Sequence, residues 1–185
     1  VSNINEFIDE NRETRMRVNG YRNGKLVEYI TETESTLKDV RGYHCDDSVK
    51  YDIGVGDVIL TALNGNTIVY AEIDFDASAK KKIGPNPYVD YLGKTRLYYA
   101  TVYSKIGEYM KVTTNPEAVA DENDLEIQGA NNIYIIDLSK SKNQVTEGSY
   151  LDIIPYKNEI GEINSNYTRA VFSTMEVPDA IYIYR

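Results

Sequence analysis

Residues 51–74 read YDIGVGDVILTALNGNTIVYAEID. Two apolar runs, Val58 to Leu63 and Thr67 to Ile73, flank Asn64-Gly65-Asn66. Glycine reaches positive φ at no steric cost, and asparagine tolerates it, so Asn64-Gly65 supplies what a tight turn between strands needs. Gly54 and Gly56 precede the first run, where glycine suits a sharp corner into a strand. The stretch therefore reads as a β-hairpin. The same grammar recurs upstream: Arg15 to Tyr21 alternates, Asn23-Gly24 is a turn dipeptide, and Lys25 to Thr31 resumes the strand pattern.

Downstream, residues 77–94 change character. Gly84-Pro85-Asn86-Pro87 cannot continue a ladder, because proline has no N–H to donate. This predicts a β-rich subdomain over 1–82, a linker over 83–93 and a second β-rich subdomain over 94–185. In the second part, strands are expected at Arg96–Ser104, Tyr109–Thr114, Ile133–Leu138, Tyr150–Pro155, Arg169–Met175 and Ala180–Tyr184, with a polar, acidic loop across 115–130. Helical signals are scarce. The best is Ser2 to Arg12, where Ile4, Phe7 and Ile8 fall at i, i+3 and i+4 and Ser2 or Asn3 offers a cap, so a short N-terminal helix is expected. The fold class is all-β and mostly antiparallel: two tandem small β-barrel or sandwich-like subdomains. The halves also read as distant copies, with VGDVILTA matched to EGSYLDII and TIVYAEID to AIYIYR.

Composition bounds the function. The chain has 185 residues, 42% apolar and 26% charged, which excludes disorder as the default. A net charge of −9 sets it against nucleic acid and anionic lipid, and Lys80-Lys81-Lys82 is too short a basic run to reverse that. No stretch approaches the roughly 18 apolar residues of a membrane-spanning helix. The polar opening VSNINEFIDENRETR reads as no signal peptide, and a chain starting at Val reads as a mature or trimmed piece. Cys45 is the single cysteine, so no disulfide forms within the chain; a free thiol on a loop is expected, with pairing to a second chain as the alternative.

A "VGDVI" strand, a strand of the TIVYAEIDFD type, an acidic loop, NNIYIIDLSK and a final C-terminal strand together resemble a region of large surface proteins from clostridia-like Firmicutes. That region lies outside the S-layer homology repeats those proteins carry. The likeness spans roughly residues 51–76 and 131–185. The repeats themselves and an LPxTG ending are absent from this sequence. The resemblance implies an extracellular, cell-surface structural or adhesive module, and it implies no active site and no functional residue.

His44-Cys45-Asp46-Asp47 is the densest reactive cluster, but neighbours on an extended chain point to opposite faces, and one His with one Cys cannot build a zinc site. No nucleophile elbow, P-loop or dinucleotide fingerprint occurs. Asp121, Asn123 and Asp124, with Asp74 and Asp76, supply hard oxygen ligands on expected loops, but neither group has the spacing of a calcium loop, so a solvated acidic surface and no cofactor are expected, with calcium the one candidate. There are 17 Tyr against 3 Phe and no Trp. Tyr98, Tyr99 and Tyr103, with Tyr88 and Tyr91 nearby, are the candidate ligand residues of a sugar-stacking face. The expected function is a non-enzymatic structural or adhesive module, with other copies or other surface proteins as partners. The alternative is a module binding cell-wall or environmental polysaccharide. An enzyme accessory domain and a virus-particle component are further readings.

Overall fold

The structure, a computed structural model, describes residues 1–22, 24–45, 48–84, 88–89, 95–114, 125–130, 132–139, 144–172 and 180–185, with backbone alone for 88–89 and 95–98. The chain is all-β, built on curled, mostly antiparallel sheets. It divides into two compact units, Val1–Pro85 with Asp137–Gln144, and Asn86–Ile136 with Val145–Arg185.

The first unit contains β1 (Asn3–Ile8), β2 (Thr14–Arg22), β3 (Lys25–Thr31), β4 (Val40–Arg41), β5 (Lys50–Tyr51), β6 (Val58–Asn64), β7 (Thr67–Asp76) and β8 (Lys81–Lys82). Its main sheet runs β1-β2-β3-β7-β6, with β8 added to β7, while β4 and β5 pair separately. β3 and β7 are parallel; the other pairs of this sheet are antiparallel. Val18, Leu37, Val40, Ile53, Ile68, Ala71 and Ile73 form its core. The expected tight turn between β6 and β7 is the two-residue loop Gly65-Asn66; Asn64, expected in the turn, instead ends β6 opposite Thr67. Gly65 has φ +59 and Asn66 is not among the positive-φ residues, the φ pattern of a type II′ turn.

The second unit contains β9 (Tyr88–Val89), β10 (Thr95–Ile106), β11 (Tyr109–Thr113), β12 (Leu125–Gln128), β13 (Asn132–Asp137), β14 (Gln144–Glu147), β15 (Arg169–Phe172) and β16 (Ala180–Tyr184). The order is β12-β11-β10-β15-β16-β13-β14, with β9 on β10 and β13 parallel to β16. The core gathers Ala100, Val102, Met110, Val112, Ile127, Ile133, Ile153, Ala170, Phe172, Ile181 and Ile183.

Three expectations are corrected. The N-terminal helix is strand β1, paired with β2 from Asn3↔Asn19 to Ile8↔Thr14. Ile4 packs on the core, whereas Phe7, three residues on, lies under Arg17 with the guanidinium 5.1 Å from the ring centre. A spacing of three joins faces on a helix and separates them on a strand; cross-strand pairing decides which. Second, YLDIIP is no strand. Tyr150–Asp152 is a single 3₁₀ turn, because Ser149 Oγ accepts from Leu151 N and Asp152 returns to Ser149 N at 2.9 Å, a capping box that outcompetes extension. Third, the copies do not correspond strand for strand: VGDVILTA supplies an edge strand and EGSYLDII this turn. Within the expected acidic loop, Leu125–Gln128 is a strand, with Ile127 fully buried.

Candidate functional site

β7 is the strand that carries chemistry, and its register explains why. Val58 opposes Phe75 while Ile59 opposes Ile73, so Asp74 is the extra residue of a bulge. A second bulge leaves Val69 extra between Ile68 and Tyr70. Bulges break the alternation of faces and re-aim side chains. The result is five consecutive buried residues, Ala71 to Phe75, two of them acidic.

Asp74 meets Lys82 in an ion pair whose side chains are 1% and 6% exposed. Burial raises the Asp74 carboxyl above its usual range, against the pull of Lys82. Burial likewise lowers the Lys82 ammonium, against the pull of Asp74. The main-chain oxygen of Asp74 accepts from Ile83 N at 2.8 Å and Gly84 N at 3.1 Å. Alongside, Tyr43 N donates to Ile73 O at 2.8 Å. Cys45 is exposed, and its thiol donates to Ile83 O at 3.0 Å and Tyr43 O at 3.5 Å. The His44 ring packs on Tyr43 at 4.2 Å, in a backbone with φ +53. The chain turns at His44 rather than running extended, and both side chains contact Tyr43, the imidazole against its ring and the thiol at its carbonyl.

Two other acidic groups of this unit are internally satisfied. Asp57 accepts from Gly54 N at 2.7 Å and Ala77 N at 2.9 Å, and burial raises its carboxyl. At the corner before β6 it is Gly56, with φ +92, whose backbone favours glycine. Glu72 receives Arg41 Nε and the Tyr70 hydroxyl on one oxygen.

In the second unit, half-buried Tyr103 meets Tyr156 at a tilt (5.9 Å, 30° between planes), and Tyr156 meets Tyr167 edge-on (5.2 Å, 89°). Lys157 Nζ lies 5.2 Å from the Tyr103 ring centre, and that phenol holds the ammonium above its usual range. The loop bearing these rings is anchored by Tyr156 N to Val102 O (2.8 Å) and Lys157 N to Tyr103 O (2.9 Å). Chain reversal at Gly161, φ +85, returns it through Asn164 N to Tyr156 O at 2.9 Å.

The expected site residues fare differently. Tyr103 sits at this aromatic group. Tyr99 is 7% exposed and lies under Arg169, whose guanidinium is 4.6 Å from its ring centre. The Tyr98 backbone pairs with Phe172; its side chain lies outside the described residues, as do Asp121, Asn123 and Asp124. Of the further calcium candidates, Asp74 is taken by Lys82, while Asp76 Oδ1 caps a turn through Ser78 and Ala79. No group of three or more His, Cys, Asp or Glu suited to a metal ion occurs among the described residues. Sequence reasoning missed Tyr156, Tyr167, Lys157 and the Asp74–Lys82 meeting. Only the pairing of tyrosines around a glycine-centred reversal hinted at the first group.

No family model, no curated protein and no solved structure matches this chain.

Proposed function

We propose that the chain is a non-enzymatic, extracellular structural module of a bacterial cell surface, assembling with further copies of itself through an open strand edge. The observation that carries this is β6. Among the described residues it ends its sheet, and Val58–Asn64, VILTALN, contains no charge and no proline. Open edges are normally guarded by charge. The other sheet ends follow that rule: β1 carries Glu6, β12 carries Glu126 and β14 carries Glu147. Both bulges lie on β7, so β6 pairs without interruption from Ile59 to Ala62 and presents a regular outer edge. Antiparallel pairing of two β6 strands about Thr61 sets Ile59 opposite Leu63 of the second copy, an apolar pair on the core-facing side. The extracellular setting rests on the sequence resemblance. The test is light scattering after size exclusion over a concentration range. Growth into defined assemblies, abolished by Thr61→Lys at an exposed edge position, supports the reading; a strict monomer at every concentration overturns it.

A second reading, polysaccharide binding, is favoured by the Tyr103–Tyr156–Tyr167 group with Lys157 beside it. Clustered, half-buried rings with polar neighbours suit sugar faces. Glycan arrays probed with the native chain and Tyr156→Ala decide it: signal lost in the variant supports it, and silence in both removes it.

A further inference from the structure

The Asp74–Lys82 pair differs from the surface ion pairs of this protein. Arg15–Glu13, Arg17–Glu28 and Lys38–Glu34 each keep at least one partner well exposed. Asp74 and Lys82 are both excluded from water. They are also held together by main chain on every side. The bulge turns Asp74 inward, β8 pairs Lys82 with Phe75, and the N–H groups of Ile83 and Gly84 grip the Asp74 carbonyl. Gly84 lies so close that a Cβ there would collide with Asp74 Oδ1.

We propose that Asp74 and Lys82 condense into an intramolecular isopeptide bond between Lys82 Nζ and Asp74 Cγ. The step balances without any oxidant, cofactor or co-reactant. The amine lone pair forms the C–N bond, the carboxyl C–OH bond breaks, and the hydroxyl leaves with an amine proton as one water. Such a reaction needs a free amine and a protonated carboxyl, the forms that burial favours in both partners here. It also needs the reactants held in contact, and a preorganised pair gains effective molarities of about 10⁵–10⁸ M. Exclusion of water removes the competing hydrolysis. His44 is the other titratable side chain whose charge bears on Asp74, and Cys45 the one whose charge bears on Lys82. The bond closes the 74–82 hairpin covalently and fastens the segment that follows β8 to β7.

The experiment is an intact-mass measurement on the full chain, purified native and then denatured. The expected mass is that of the sequence less one water. After trypsin, which cuts at Lys80 and Lys81, the peptides bearing Asp74 and Lys82 stay joined, and fragmentation places the bond between those two residues. Lys82→Arg and Asp74→Ala, each checked for folding by circular dichroism, recover the full sequence mass. A native chain with the full sequence mass after prolonged incubation overturns the proposal. So does a lost water mapped to another site, such as a succinimide elsewhere. Because the native chain alone decides, a variant that fails to fold does not blunt the test.

Discussion

Gly84 passes against Asp74 with no room for a side chain: a Cβ on Gly84 would strike Asp74 Oδ1 and approach Tyr43 O to 3.1 Å. Neither neighbour can yield cheaply, one being a buried paired carboxylate and the other main chain. Gly84→Ala should therefore destabilise the protein by about 1–3 kcal/mol, the range of overpacking in a close-packed site. Gly107→Ala is the comparison. It meets nothing within 4 Å and pays only for a φ of +57. Urea denaturation of both variants separates crowding from backbone strain, and equal losses would refute the close-approach account.

Asp57 satisfies two main-chain donors that no strand partner serves, Gly54 N and Ala77 N. Asp57→Ala should cost about 2–4 kcal/mol, because each buried donor left without an acceptor carries a penalty of its own. The loss should appear as earlier hydrogen exchange at Gly54 and Ala77. Unchanged exchange at both amides would show that water replaces the carboxylate without penalty.

Phe172 is fully buried at the centre of the second core, on β15 between β10 and β16. Phe172→Ala should cost about 3–5 kcal/mol, transfer and cavity terms together. Ile160, 80% exposed, should tolerate alanine with a loss within about 0.5 kcal/mol. Thermal melts of the two variants give the contrast, and a small loss at Phe172 would mean the site collapses around the hole.

Asp152 is held below the usual carboxyl range, first by the Ser149 N–H, with Arg185 adding to it. Its folded pKa lies below its unfolded value, so its contribution to stability is present above about pH 4 and is lost as pH falls through the folded value. Asp57 has the opposite sign: its raised carboxyl favours the fold at low pH, and that advantage fades as pH rises through its folded value. Denaturation across acid pH should show Asp152→Asn with a flatter fall than the native chain. Carboxyl-carbon NMR should place the Asp152 midpoint below that of Asp57, and the reverse order would refute the assignment.

Strand positions were legible wherever the signal is local. Alternation in Arg15–Tyr21 and Lys25–Thr31 around Gly24, and the apolar runs around Asn64-Gly65, became β2, β3, β6 and β7. Where local signals compete, they misled. The Ile4–Phe7–Ile8 spacing fits a helix, and only the ladder with β2 makes it a strand. Tyr150–Pro155 looks like a strand by composition, and the Ser149–Asp152 box coils it. Tyr99 and Tyr103 lie four residues apart in β10. Neighbours four apart on a regular strand share a face, but Tyr103 is the extra residue of a bulge in β10 against β11, while Arg169 from β15 lies over the Tyr99 ring.

By itself the amino-acid order determined an all-β chain, its turns and most of its strands, because a period of two and the positive φ of glycine act over a few residues. Only the tertiary structure decided that Asp74 turns inward to Lys82, that Tyr103 meets Tyr156 and Tyr167, and that β6 ends its sheet without a guarding charge. Those outcomes depend on register and strand order. Both are set by pairings between segments far apart in the chain, where one residue of slip, as at the two bulges of β7, sends a side chain to the other face.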